Sequence, residues 1–252
     1  MKRALRLSII IGVISIFSYG IISCEPEKPA TPIIPPTPGP APNPGPEPTP
    51  EPTPEPEPEE SVIYYDNLDG STTSGVWFDQ AGSCFNPEGL GCDDLSYASS
   101  SAKVIATYPS SGYPGASGKN GVYYLGTSSY IQVRNIELPR GAKVFKISVG
   151  LHSVKNGSPV IAGKTFNIGI LDEMSKTSDY QNLDFSVKNY GNWAFATAVF
   201  EILSEQTTHL SIQISSLEAQ VRSDDLMLVS TTAKPDFQVT FDYSSTEEPN
   251  YD

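Results

Sequence analysis

The sequence has few of the residues that enzymes and metal sites depend on. Its 252 residues include three cysteines and two histidines. Neither His152 nor His209 lies in a His-x-x-x-His, Cys-His or Ser-His arrangement, and the acidic residues form no recognisable catalytic motif. We therefore expect a protein that is not an enzyme and has no catalytic residues.

Positive charge is scarce as well. The chain has a formal net charge of −13, and residues 61–252 contain 21 acidic and 12 basic side chains. Nucleic acids and anionic lipid headgroups are bound by basic surfaces, so neither is an expected partner. No apolar run after residue 24 is long enough to span a bilayer. A membrane contact is therefore expected through a lipid alone.

The first 23 residues have the features of an export signal. Basic residues at positions 2, 3 and 6 precede an apolar run, Leu7 to Ile22, which is shorter than the ~20 residues of a membrane-spanning helix. The run ends in Ile21-Ile22-Ser23-Cys24, which resembles the lipobox of bacterial lipoproteins. The resemblance implies that Cys24 is lipidated and becomes the new N-terminus. We predict a protein of the cell envelope, anchored by lipid in the outer membrane and exposed at the surface.

Residues 24–60 are predicted to form a disordered stalk after the lipidated cysteine. Residues 25–60 contain 16 of the 23 prolines and eight glutamates, but no aromatic residue. Such a segment cannot bury enough apolar surface to offset its chain entropy. Alternating prolines favour extended polyproline II, which rises ~3.1 Å per residue. The segment is either a spacer that lifts the domain through a surface polysaccharide layer or a tether without a length requirement.

The rest of the chain has the pattern of an all-β domain. Its apolar residues recur at period two or in short runs rich in Val, Ile, Thr, Phe and Tyr, and Gly-, Pro- and Asn-containing turns separate them. This pattern indicates an antiparallel sandwich or barrel over residues 61–232, followed by a strand and an acidic tail over 233–252. The predicted strands are 62–65, 103–107, 122–125, 130–136, 143–151, 164–171, 195–203, 208–214, 220–229 and 237–243.

The two remaining cysteines are predicted to form a disulfide. Cys84 and Cys92 flank a short loop that contains Pro87, Gly89 and Gly91. Outside the cytoplasm such a pair can be oxidised, and by loop entropy the bond contributes ~2–3 kcal/mol. The alternative is a metal site, but two cysteines without a nearby histidine are a poor zinc site.

Three stretches resemble the jelly-roll domains of Bacteroidetes surface lipoproteins. They are the opening run Tyr65 to Gly70, the glycine-rich Tyr113 to Tyr123, and the closing Val221 to Leu228 with its paired aspartates. Galactose-binding-like domains and carbohydrate-binding modules end in a similar way, and the likeness covers about residues 61–231. It implies an antiparallel jelly-roll β-sandwich that binds an extracellular glycan. The alternative is a structural or adhesive envelope module whose partner is a protein.

The same resemblance implies a structural calcium ion. In such jelly rolls the first and last strands run close together and share the cation, which prefers carboxylate and carbonyl oxygens. The candidate ligands are Asp66 and Asp69 near the first strand, and Asp224 and Asp225 in the last. The alternative is that these acids are simply solvated at strand ends.

The candidate glycan-binding residues are Trp77, Tyr108, Tyr113 and Asn120. Sugars stack their apolar faces on aromatic rings while amides fix their hydroxyl groups. Tyr108 precedes and Tyr113 follows a turn-like Pro-Ser-Ser-Gly loop, and Trp77 follows a loop that contains Ser and Gly. We expect these rings to be exposed together at one end of the sandwich. For each ring the alternative is packing in the core or at a strand end.

Overall fold

The structure, a computed structural model, describes residues 56–69, 74–80, 95–153 and 158–243, together with Gly39. All of the described residues except Gly39 belong to one compact unit within Pro54–Asp252. Cys24, most of the stalk and the Cys84–Cys92 pair lie outside the described residues, so these predictions stay predictions. No helix of the described part is long and apolar enough to cross a membrane.

In the described residues, β-strands form the regular structure apart from one 3-10 turn, Phe78–Gln80. The strands are β1 (Glu60–Asp66), β2 (Ser96–Ser100), β3 (Ala102–Ile105), β4 (Gly121–Tyr124), β5 (Tyr130–Glu137), β6 (Val144–His152), β7 (Phe166–Leu171), β8 (Gln181–Asn182), β9 (Ser186–Tyr190), β10 (Trp193–Ile202), β11 (His209–Ser216), β12 (Val221–Thr231) and β13 (Phe237–Val239).

The strands form two sheets. Sheet A has the order β13-β10-β6-β12-β4-β3, with β1 on the second half of β12 and β9 on the first half of β10. Sheet B has the order β2-β5-β11-β7-β8. Strand pairs are antiparallel except for β10 with β13. From β4 to β7, and again from β10 to β12, successive strands alternate between the sheets. The predicted all-β jelly-roll sandwich is confirmed.

One apolar core lies between the sheets. The period-two pattern of β10 shows how it forms, because Ala194, Phe200 and Ile202 point inward and are at most 4% exposed. Tyr124 of sheet A meets Phe166 of sheet B edge-on, with ring centroids 5.6 Å apart. Each large side chain buried in this way contributes ~1.5–3 kcal/mol relative to an exposed one.

All ten predicted strands are present, with ends shifted by a few residues. The largest difference is at β13, which ends at Val239, although the pattern predicted a strand as far as Tyr243. Phe241 nevertheless packs into the core, so the chain beyond residue 232 still contributes to the sandwich. Strands β2, β8 and β9 were not predicted.

Candidate functional site

The outer face of sheet B carries a polar cleft of about 680 Å³. Its floor is formed by β5, β11 and β7, and its wall by β8 and the loop that precedes it. The cleft is lined by Tyr130, Gln132, Arg134, Asn167, Leu171, Glu173, Ser178, Asp179, Tyr180, Asn182, Gln213 and Ser215.

The register of the sheet places the floor residues in rows across the strands. Gln213 of β11 pairs with Gln132 of β5 on one side and with Gly169 of β7 on the other. Gly169 in turn pairs with Asn182 of β8. Directly paired residues project from the same face of a sheet. The two glutamines and the asparagine therefore form one polar row across the cleft.

A chain of hydrogen bonds fixes the polar groups of the floor. Gln132 donates from Nε2 to Oε1 of Gln213 at 2.7 Å, and Gln213 donates to Ser215 Oγ, also at 2.7 Å. Arg134 donates from Nε to Oε1 of Gln132 at 2.9 Å. Its guanidinium also lies 3.6 Å from Glu173, whose carboxylate accepts a hydrogen bond from Ser211 at 3.0 Å. The side chains are thus oriented in advance, with donors and acceptors side by side.

The wall is positioned by the turn after β7. Asp172 accepts a hydrogen bond from the backbone nitrogen of Met174 at 2.9 Å, which starts the turn. The turn brings Tyr180 over the floor, where a Cβ on Gly169 would lie 3.1 Å from the Cβ of Tyr180. Glycine at position 169 therefore permits this close approach. Burial raises the pKa of the Tyr180 hydroxyl above its ordinary value, and the hydroxyl itself is buried.

This arrangement can recognise hydroxyl groups. Amide, guanidinium and carboxylate groups match the donors and acceptors of sugars, while Tyr130 and Tyr180 provide rings for stacking. The cleft contains two carboxyl groups, those of Glu173 and Asp179. Glu173 is held by Arg134 and Ser211, a geometry suited to positioning.

Of the four acids predicted as metal ligands, Asp66, Asp224 and Asp225 are buried in sheet A. Asp69 is half-buried just after β1 and accepts a hydrogen bond from Asn120 N at 3.1 Å. Asp66 is 3% exposed, and its carboxylate accepts hydrogen bonds from Leu68 N at 2.8 Å and from the Tyr64 hydroxyl at 3.1 Å. Burial raises the pKa of Asp66 to about 6. This carboxylate is therefore already in use inside the fold, rather than solvated at a strand end.

Asp225 lies in a bulge of β12 with a φ of 53° and is 4% exposed. It accepts hydrogen bonds from the Tyr113 hydroxyl at 2.5 Å, Ser110 Oγ and Ser117 N at 3.2 Å, and the Tyr65 hydroxyl at 3.3 Å. Three of these donors, from Ser110, Tyr113 and Ser117, hold the loop between β3 and β4 against the outer face of sheet A.

The neighbouring Asp224 is less well satisfied. Its Oδ1 accepts from Asp225 N at 2.8 Å, but its Oδ2 is buried without a hydrogen-bond partner among the described residues. Burial, and then the charge of Asp225, raises the pKa of Asp224 to about 9. Among the described residues, no three His, Cys, Asp or Glu side chains are grouped so that they could hold a metal ion. The calcium predicted at Asp66, Asp69, Asp224 and Asp225 would therefore need backbone oxygens as well, and it stays a prediction.

Two of the four predicted ligand-binding residues are not exposed as expected. Tyr113 is 4% exposed and stacks on Phe195, with ring centroids 5.4 Å apart. Asn120 is 9% exposed and donates from Nδ2 to the backbone oxygen of Leu68 at 3.0 Å. The predicted exposure of the Tyr113 ring is wrong, because the β3–β4 loop folds onto sheet A instead of projecting from it.

The other two predicted residues are exposed, each beside a cation. Trp77 is 36% exposed, with the Lys103 ammonium 4.4 Å from its ring centroid. Tyr108 is 65% exposed, with the Arg222 guanidinium 4.2 Å from its ring centroid. Both rings lie on the side of sheet A, and neither lines the cleft of sheet B.

Sequence reasoning missed the cleft residues altogether. In β5 the outward residues Tyr130, Gln132 and Arg134 alternate with buried ones, which is the pattern of any solvated strand face. The pairing of Gln132 with Gln213 joins positions 81 residues apart, and no local motif encodes it. The one signal in the sequence is that Tyr130, Gln132 and Arg134 are large side chains at outward positions of β5.

Comparisons with known proteins find remote structural likenesses. No protein family model and no curated protein sequence matches the chain. One similar structure is the CBM22-1 xylan-binding domain of Paenibacillus barcinonensis Xyn10C, with 12% identity, a TM-score of 0.42, and coverage of 69% of this chain and 97% of that one.

Two further similar structures also contain carbohydrate-binding modules. The CBM22-1–GH10 modules of Clostridium thermocellum xylanase 10B, complexed with xylohexaose, share 14% identity with a TM-score of 0.41 over 69% of this chain and 29% of that one. The module TmCBM61, complexed with β-1,4-galactotriose, shares 17% identity with a TM-score of 0.34 over 54% of this chain and 88% of that one. At these values the likenesses concern the fold alone.

Proposed function

We propose that this protein is a non-catalytic, lipid-anchored surface protein that binds an extracellular glycan in the cleft of sheet B. The observation that carries the proposal is the hydrogen-bonded row across the floor of the cleft, with a tyrosine on either side. Open polar clefts with fixed donors and acceptors suit a ligand that is rich in hydroxyl groups.

The dimensions of the cleft fit a short stretch of a sugar chain. The row from Gln132 to Asn182 crosses four strands, or about 14 Å at ~4.8 Å per strand. This length accommodates two or three pyranose rings. Tyr130 and Tyr180 lie on different elements, so they can stack on separate rings of one bound chain.

The charges of the cleft favour an uncharged glycan. Its one arginine, Arg134, is paired with Glu173 at 3.6 Å, and Asp179 adds a further negative charge to the lining. A carboxylate on the sugar would meet no unpaired cation there. Neutral hydroxyls, by contrast, can both donate to Gln213 and accept from Arg134.

The anchor and the stalk support display at the cell surface. A lipid on Cys24 would hold the chain to a membrane, because each buried methylene contributes ~0.8 kcal/mol. Thirty-six residues of extended proline-rich chain reach at most ~110 Å. The domain could then meet polysaccharides beyond the membrane, in the outer membrane location proposed from the sequence.

The test is calorimetric titration of the full chain with neutral oligosaccharides, including xylohexaose and β-1,4-galactotriose. Replacing Gln213 with Ala removes the centre of the polar row, and replacing Tyr180 with Ala removes a stacking ring. We expect each to weaken binding about tenfold or more, because a lost buried hydrogen bond or ring contact is worth ~1–3 kcal/mol.

The matched control is Gln238→Ala. Gln238 is exposed in β13 of sheet A, where its amide donates to Glu201 at 2.9 Å. The Gln238→Ala variant should bind the oligosaccharides as tightly as the unaltered chain does. Equal affinity in Gln213→Ala, Tyr180→Ala and Gln238→Ala would overturn the proposed cleft, and a protein partner for an adhesive module would then become the leading alternative.

A further inference from the structure

The outer face of sheet A carries rings and cations in one continuous row. Lys103 of β3 pairs with Tyr123 of β4, and Tyr123 pairs with Arg222 of β12. Arg222 pairs with His152 of β6. At one end of the row, Trp77 forms a bridge to Lys103. Since directly paired residues share a face, the register places all five side chains on the same side of the sheet.

Each cation in the row lies against aromatic rings. The Lys103 ammonium lies 4.4 Å from the Trp77 ring centroid. The Arg222 guanidinium lies 4.2 Å from the ring centroid of Tyr108 and 5.1 Å from that of Tyr123. Such contacts are worth ~0.5–2 kcal/mol each. They orient the charges but do not neutralise them.

Neither cation has an acidic partner among the described residues. The ion pairs found there involve Arg134, Lys143 and Lys146. Arg222 is only 6% exposed, and its Nε and Nη1 are buried without a hydrogen-bond acceptor in the described part of the chain. A desolvated charge without a partner is costly. This cost is unusual in a domain that has many more acids than bases.

The adjacent histidine, His152, does not add a third positive charge to the row. His152 is 7% exposed and packs edge-on against Trp193 at 5.1 Å. Burial, and then the neighbouring Arg222, lowers the pKa of His152 to about 4. Near neutral pH, Lys103 and Arg222 are therefore the charged members of the row.

Tyr108 leaves a ring face available above Arg222. One face of the ring lies over the guanidinium, and the side chain is 65% exposed. Its backbone has a φ of 63°, a conformation that costs a non-glycine residue ~1–3 kcal/mol and persists only when the surroundings fix it. The exposed face can accept the apolar side of a sugar ring, while the guanidinium lies against the opposite face.

We propose that the row Trp77, Lys103, Tyr123, Arg222, with Tyr108 above it, is a second binding site, for an anionic saccharide. Arg222 would pair with a carboxylate or sulfate of the saccharide, and Lys103 would pair with the next one along the chain. The two cations are two strands apart, or about 10 Å, which is close to the span of two pyranose rings. The site shares no residue with the cleft of sheet B.

The test is titration of the full chain with an oligogalacturonate, its methyl-esterified counterpart and a sulfated galactan oligosaccharide. We expect binding of at least one charged probe, no comparable binding of the ester, and weaker binding as salt is raised. Lys103→Gln and Arg222→Gln should each lower the affinity for the charged probe about tenfold or more, the loss expected for a charge-assisted hydrogen bond. The charged probe that binds identifies the group as carboxylate or sulfate.

The controls separate this site from the cleft and from unfolding. Lys143→Gln removes an exposed lysine that is 3.5 Å from Glu205, and it should leave binding unchanged, as should Gln213→Ala. Because Arg222 is buried, Tyr108→Ala and Lys103→Gln provide variants that should fold normally. The second site would be overturned if neither charged probe bound, if the ester bound as tightly as an oligogalacturonate that does bind, or if folded Lys103→Gln and Tyr108→Ala kept full affinity for the charged probe that binds. None of these results would affect the cleft.

Discussion

Tyr113 holds the β3–β4 loop to sheet A, and its replacement should destabilise the domain. The hydroxyl donates to the Asp225 carboxylate at 2.5 Å. The ring stacks on Phe195, and its centroid lies 6.0 Å from that of Trp193. Beneath the ring is Gly150, where an added Cβ would lie 2.0 Å from the tyrosine oxygen. Three substitutions therefore remove different parts of one contact: Tyr113→Phe, Tyr113→Ala and Gly150→Ala.

The expected losses follow from these contacts. Tyr113→Phe removes a hydrogen bond to a carboxylate, which is worth ~1.5–3 kcal/mol. The lower end is expected, because Asp225 keeps its other donors, Ser110, Ser117 and Tyr65. Tyr113→Ala also loses the buried ring, for ~3–5 kcal/mol in all. Gly150→Ala forces the ring away from the sheet, and overpacking of this kind costs ~1–3 kcal/mol.

The measurement is the free energy of unfolding in urea, with thermal melts in parallel. For a domain of this size, 1 kcal/mol corresponds to a shift of ~2–4 °C, so Tyr113→Ala should melt ~6–20 °C lower. The slope against urea should not change, since the surface exposed on unfolding is nearly the same. A Tyr113→Ala variant that is as stable as the unaltered chain would refute the structural role and restore the exposed ring expected from the sequence.

The remaining predictions concern the acids and the cysteines. With calcium removed by a chelator, the free energy of unfolding should fall as pH rises from about 4 towards 9. The pKa of Asp224 is raised to about 9 in the folded state, so the unfolded state binds fewer protons than the folded state in that window. A flat pH profile that Asp224→Asn does not alter would contradict this. Calcium should raise the melting temperature if it binds the buried acids, and chelation should lower it by several degrees; no shift and no metal by elemental analysis would remove the ion. Cys24→Ala should release the protein from the membrane fraction or leave the signal uncleaved, whereas unchanged processing and partition would exclude lipidation. Thiol counting on the denatured, unreduced chain should find Cys84 and Cys92 oxidised; two free thiols in protein from the native envelope would show that they are not bonded.

The strands that sequence reasoning found are those with one clearly buried face. In β10 the inward residues Ala194 and Phe200 alternate with outward ones over ten positions, so the period-two signal is strong. The strand β2 reads Ser96-Tyr-Ala-Ser-Ser and is half-buried at the edge of sheet B. Small polar residues there give no periodic signal. The edge strand β8, of two residues, is too short to have a pattern.

The site depended on pairings that a linear sequence does not specify. The aspartates of the last strand were identified as notable, yet the role of Asp225 in holding Tyr113 comes from a contact across 112 residues. Glycine and serine around Tyr113 suggested an exposed loop. The same small residues instead let the loop lie flat on the sheet, because Ser110 Oγ and Ser117 N both donate hydrogen bonds to Asp225. Local composition predicts that a loop exists but not which surface it covers.

The buried acids and the cationic row depend on each other through this loop. Asp225 binds Tyr113, Ser110 and Ser117, and the loop fixed in this way carries Tyr108 to its position over Arg222. An anchoring carboxylate buried beneath the loop can hold it without adding negative charge to the exposed surface. The acids therefore provide the geometry, while the unpaired cations remain free to attract an anion. Sheet B has no such covering loop in the described structure, and its outer face stays open as a cleft with its own arginine already paired to Glu173. One sandwich can in this way offer a face whose arginine is paired and a face with unpaired cations. The electrostatics of each face depend on which of its few basic residues have an acidic partner.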